Sequence, residues 1–137
     1  MAFKQIADQT NGFFIPSVSL FGPGCAKEIG NKAIDLGAKK ALIVTDEGLF
    51  KFGVADTIAE YLHSAGVKSH IFSGAEPNPT DINVHRGVDA YTHNDCDFIV
   101  SLGGGSSHDC AKGIGLVTAG GGHIPFTQPV DEPLIKK

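Results

Sequence analysis

Phe98-Ile99-Val100-Ser101-Leu102-Gly103-Gly104-Gly105-Ser106-Ser107-His108-Asp109-Cys110-Ala111-Lys112 decides how this chain is read. A short run of apolar and β-prone residues enters three consecutive glycines, and two serines follow. Cys110, Ile114 and Val117 then recur at i, i+4 and i+7. Such a pattern predicts a buried strand, a tight turn and the start of an amphipathic helix. Glycines remove the Cβ atoms that would keep a ligand away from backbone N–H groups. The helix behind the turn points its positive dipole end at the same spot. A phosphate or pyrophosphate is the natural occupant; the plain alternative, a tight strand-to-helix connection, needs one glycine rather than three.

Working outward, the chain alternates helices and strands. Ala26, Ile29, Ala33 and Leu36 mark a helix stopped by Gly37. Residues 41–45 are a compact apolar run without alternation, as expected of a strand buried on both faces. Val54, Ile58, Tyr61, Leu62 and Ala65 give a helix that Gly66 ends, and a strand over 67–72 follows. Residues 73–80 hold two prolines in an irregular loop, and Thr80 or Asp81 can cap a helix carrying Val84, Val88 and Tyr91. Before these elements, residues 13–21 read as an extended segment whose Pro16 suits an edge. The order predicts an α/β fold, Rossmann-like, with a mostly parallel sheet and helices on both faces. Residues 1–123 are expected to form one domain, followed by an irregular proline-rich tail over 124–137.

Composition narrows the partners. The 137 residues are 42% hydrophobic and 19% charged, a globular balance with room for one core. A net charge of -4 without a basic stripe argues against nucleic acid. Apolar runs are too short for a membrane span, and no basic-then-apolar leader opens the chain, so a cytoplasmic protein is expected. The 3 cysteines have no Cys-x-x-Cys spacing and read as free thiols. None of the 6 histidines forms an i, i+4 pair or a carboxylate cluster at metal spacing, and only His108, beside the glycines, draws notice.

In an open parallel sheet, ligands collect at the carboxyl ends of the strands. Asp46, the loop from Glu76 to Thr80, and the turn from Gly103 to Ser106 all meet that condition. A carboxylate there can accept both hydroxyls of an adenosine ribose and repel a 2′-phosphate, favouring NAD over NADP; Asp46 can equally be a helix cap. The arrangement departs from the usual fingerprint, in which the acid follows a Gly-x-Gly-x-x-Gly turn by about 20 residues. Asp109 and Lys112 lie three apart near the helix start, where Asp109 either accepts from a ligand amide or stabilises the helix end.

Taken together, Phe21-Gly22-Pro23-Gly24, Lys40-Ala41-Leu42-Ile43-Val44-Thr45-Asp46, Glu76-Pro77-Asn78-Pro79-Thr80 and the stretch from Gly103 to Lys112 resemble the iron-dependent (group III) alcohol dehydrogenases. These enzymes have a dehydroquinate synthase-like fold. The closest subgroup looks like the methanol, butanol and 1,3-propanediol dehydrogenases. The resemblance implies that Gly103, Gly104, Gly105 and Ser106 hold the NAD pyrophosphate and that Asp46 reads the adenosine ribose. It implies Asn78 beside the cofactor and Asp109 near the nicotinamide end, with Lys112 in the motif but without a clear role. It further implies an alcohol oxidised to an aldehyde by hydride transfer to NAD. An iron or zinc ion held by one Asp and three His of a helical second domain would assist. That domain is missing from this sequence. The expectation is therefore the NAD-binding portion of such an enzyme, binding NAD at most weakly and turning over no alcohol on its own, and prone to homo-oligomerise. A stand-alone nucleotide-binding or assembly module, docking through residues 13–21, is the other reading.

Overall fold

The computed structural model describes Leu20 and residues 22–120; nearly all of the extended segment over 13–21 and the whole of the tail over 124–137 lie outside these. A 3-10 turn, Cys25–Glu28, runs into α1 (Ile29–Asp35). There follow β1 (Lys40–Val44), α2 (Glu47–Lys51), α3 (Val54–Ser64), β2 (Lys68–Phe72), α4 (Asp81–His93), β3 (Phe98–Ser101) and α5 (Gly105–Gly120). The three strands form one sheet in the order β2-β1-β3. Both pairings are parallel, with Lys40 opposite Lys68 on one side of β1 and Ala41 opposite Phe98 on the other. The α/β fold expected from the sequence is thus present. No helix among the described residues is long and apolar enough to cross a membrane.

β1 is central because residues 41–44 have nothing polar to expose on either face; all four are fully buried. Strand alternation divides them. Leu42 and Val44 pack with Val84 of α4 and with Cys110, Ile114 and Val117 of α5. Ala41 and Ile43 pack with Ala33 of α1 and with Ala55, Ile58 and Leu62 of α3. Burying each larger aliphatic side chain contributes about 1.5–3 kcal/mol, so the strand's apolar composition sets the position of all four helices.

The expected helix starts and stops mostly hold, with two differences. Gly37 (φ 86) and Gly66 (φ 89) take the left-handed conformation after α1 and α3. Thr80 is the cap of α4, in a reciprocal pair: its Oγ1 accepts from Asn83 N–H at 3.4 Å and its own N–H donates to Asn83 Oδ1 at 2.8 Å. Leu36, read as the last buried residue of α1, is instead the residue after the helix and is 73% exposed. The tight turn at Cys25–Glu28 shifts the inward face to Gly30 and Ala33. The second difference is α2, five residues placed where the sequence suggested only the end of a strand.

Candidate nucleotide-binding site

Three backbone bonds gather the carboxyl ends of the strands. Leu102 N–H donates to Val44 O at 2.9 Å, Thr45 N–H to Phe72 O at 2.9 Å, and Ala75 N–H to Thr45 O at 3.2 Å. The loops leaving β1, β2 and β3 therefore start side by side. Between them lies a cleft of about 670 Å³, lined by Asp46, Glu47, Gly48, Phe50 and Lys51, by residues 73–77, and by residues 104–107.

Asp46 owes its position to both β1 and α2. It caps α2, with Oδ1 accepting the Leu49 N–H at 2.8 Å. Its other oxygen faces the glycine turn: Oδ2 lies 3.3 Å from the point a Cβ on Gly103 would occupy. Capping and cleft-lining are therefore not exclusive; each takes one oxygen.

The three glycines do different things. Gly103 has φ 130, a conformation that side chains rarely adopt. A Cβ there would also lie 2.9 Å from Ser107 Oγ and 3.2 Å from Leu49 Cδ1. Gly103 is thus the corner of the turn, its Cα side turned towards Ser107 and Leu49 and outside the cleft lining. Gly104 and Gly105 have nothing within 4 Å of the same point and line the cleft itself. A ligand can approach their backbone as closely as it could a bare peptide. α5 starts at Gly105, so the N–H groups of Gly105, Ser106 and Ser107 have no partners within the helix, and these three residues line the cleft. The backbone at this end of the sheet thus suits an anion.

The cleft brings together Asp46, Gly104, Gly105 and Ser106, with Gly103 adjacent in the chain but outside the lining. It does not include Asn78 or Asp109. Asn78 is exposed with φ 55, one residue beyond the lining residue Pro77. Asp109 is exposed and lies 4.0 Å from Lys112 Nζ, an i, i+3 pair in high dielectric that contributes little. His108 turns away from the cleft, its Nδ1 hydrogen-bonded to Ser101 Oγ, in a shallow groove along β3.

Two residues that sequence reasoning passed over stand out. Ser107 is 1% exposed and lines the cleft, and its Oγ has no hydrogen-bond partner. Thr45, also fully buried, carries a second unpartnered hydroxyl. The signal for Ser107 was present: it precedes Cys110 by three and Ile114 by seven, which puts it on the inward face of α5.

The family model for iron-containing alcohol dehydrogenases matches residues 16–135. The chain belongs to this family. It is 50% identical over 119 residues to the NAD-dependent methanol dehydrogenase of Bacillus methanolicus, covering 87% of this chain and 31% of that protein. It is 45% identical over 114 residues to the 1,3-propanediol dehydrogenase of Klebsiella pneumoniae, covering 82% and 30%. The crystal structure of a 1,3-propanediol oxidoreductase superposes with a TM-score of 0.80 at 44% identity, covering 85% of this chain and 31% of that one. The chain therefore spans about a third of the length of the relatives it matches. Among the described residues, no three His, Cys, Asp or Glu side chains converge to hold a metal ion.

Proposed function

We propose that this chain is the NAD(H)-binding portion of a metal-dependent alcohol dehydrogenase, with residues 1–123 forming the nucleotide-binding domain. The reaction is the conversion of a small alcohol to its aldehyde. NAD, when bound, supplies the hydride acceptor. The chain's own residues bind and orient it. The carboxylate of Asp46 accepts the hydroxyls of the adenosine ribose and repels a 2′-phosphate. N–H groups at Gly105 and Ser106, at the start of α5, take the charge of the pyrophosphate, and the bare backbone of Gly104 and Gly105 admits it. Asn78 and Asp109 flank the bound cofactor from the loop after β2 and from α5. Metal, alcohol contacts and turnover depend on parts of the enzyme beyond these residues, so the chain alone turns over no alcohol. A cytoplasmic homo-oligomer belongs to the same reading, supported by exposed apolar side chains such as Leu36 and Phe52.

The observation that carries this is the single cleft shared by Asp46 and the glycine turn at the carboxyl ends of parallel strands. Calorimetric titration of the chain with NAD, with NADP as control, tests it. NAD binding that is stronger than NADP binding, and lost in Asp46→Ala, is the expected result. A folded chain with equal affinity for both, or none for either, would overturn the proposal.

A further inference from the structure

We propose that Ser107 is the positioning residue for Asp46. Its buried hydroxyl serves the second oxygen of the carboxylate and so sharpens the reading of the ribose. This consequence rests on the nucleotide reading above.

Ser107 lies on the inward face of α5, where an alanine would fit without leaving a polar atom unpaired and would favour the helix. A hydroxyl retained there calls for a polar partner. A candidate lies across the Gly103 corner, the carboxylate of Asp46. Ser107 Oγ and Asp46 Oδ2 lie 2.9 and 3.3 Å from one point, the place where any residue but glycine would put its Cβ. The two oxygens therefore border the same small space, one that only glycine leaves open. A hydroxyl donates and an ionised carboxylate only accepts, so the pairing has one sense: Ser107 O–H to Asp46 Oδ2, direct after rotation about the Cα–Cβ bond or over a single water. Thr45, the other unpartnered hydroxyl, shares by alternation the strand face of Ile43, which packs against α1 and α3 rather than α5.

The consequence is a carboxylate fixed at both ends. Leu49 N–H holds Oδ1 at 2.8 Å, and Ser107 holds Oδ2. A carboxylate has room for about four hydrogen bonds, so lone pairs remain for two ribose hydroxyls, now aimed in one direction. Without Ser107 the group keeps its charge and its cap but gains a rotational freedom that ribose binding must remove.

Two measurements on the 137-residue chain decide the matter. In urea unfolding without nucleotide, Ser107→Ala, Asp46→Ala and the double variant form a cycle. The expected result is that Ser107→Ala costs less stability once Asp46 is gone; strictly additive losses would overturn the pairing. In calorimetric titrations, Ser107→Ala is expected to lower the preference for NAD over NADP by about three- to tenfold, the effect of one hydrogen bond. NADP affinity stays as it was, and Ser107→Thr restores the preference. An unchanged preference in Ser107→Ala would overturn the effect on ribose reading. Failure of the unsubstituted chain to bind NAD would overturn the nucleotide reading instead, while the unfolding cycle still judges the Ser107–Asp46 pair.

Discussion

Asp46 Oδ1 accepts the Leu49 N–H at 2.8 Å, which ties the carboxylate at the end of β1 to the first turn of α2. A substitution here removes a cap and a charge together, and the two can be separated. Asp46→Ser keeps a capping oxygen and removes the charge. Asp46→Ala removes both and is expected to lose about 1 kcal/mol relative to Ser, the usual worth of a cap. Urea unfolding measures that difference. Both variants are expected to lose the preference for NAD over NADP. Retention of the preference in the serine variant would show that the carboxylate is only a cap.

Adjacent glycines of the turn are expected to respond oppositely. Gly103→Ala puts a Cβ 2.9 Å from Ser107 Oγ at φ 130, and the strain predicts a loss of about 1–3 kcal/mol in unfolding free energy. Gly104→Ala meets nothing within 4 Å and is expected to leave the unfolding midpoint unchanged. Its methyl group enters the cleft, however, and should weaken NAD binding at least about tenfold if the pyrophosphate lies against that backbone. Equal effects of the two substitutions on stability would contradict the division of roles between them.

α1 and α3 touch through Gly30. A Cβ there would lie 2.6 Å from Ala65 Cβ and 2.6 Å from the carbonyl oxygen of Tyr61. Alanine is worth about 1 kcal/mol more than glycine inside a helix, yet backbone overlap on this scale costs about 1–3 kcal/mol. Gly30→Ala is therefore expected to lower the thermal midpoint. Adding Ala65→Gly should recover part of the loss, because one of the two overlaps disappears.

How far these relationships were legible in the sequence depends on range. Residues 41–44 announce a doubly buried strand because burial on both faces requires an unbroken apolar run. The glycine turn announces an anion site because backbone approach and a helix end are local properties. α2 was hidden because Gly48 sits within five residues and no apolar period can develop, although Asp46 followed by Glu47 is an ordinary helix start. Leu36 was misread because the 3-10 turn before α1 rotates the helical face by an amount that periodicity does not record. The juxtaposition of Ser107 with Asp46 depends on how β1 and α5 meet at Gly103, a tertiary relationship between residues far apart in the chain. No local pattern encodes it.

Asp97 joins the starts of β1 and β3, and this contact predicts an acid sensitivity. Its carboxylate accepts from Lys40 N–H at 2.9 Å and from Lys39 N–H at 3.0 Å, while its own N–H donates to Lys40 O at 2.9 Å. The Lys40 N–H is the main cause holding the carboxyl below its ordinary range; partial desolvation opposes it, and the N–H and charge of Lys39 add to the lowering. An unfolded Asp titrates near about 3.9. Because the folded value is lower, the unfolded chain binds more protons between the two, and stability rises with pH across that window. The contribution is whole above the unfolded value and fades as pH falls through the folded one. Asp97→Asn is accordingly expected to be less stable than the unsubstituted chain at pH 7, with the gap closing towards pH 2. Urea midpoints measured along that range test this, and a gap that stays constant down to pH 2 would show that the charge on Asp97 contributes nothing to holding the two strands together.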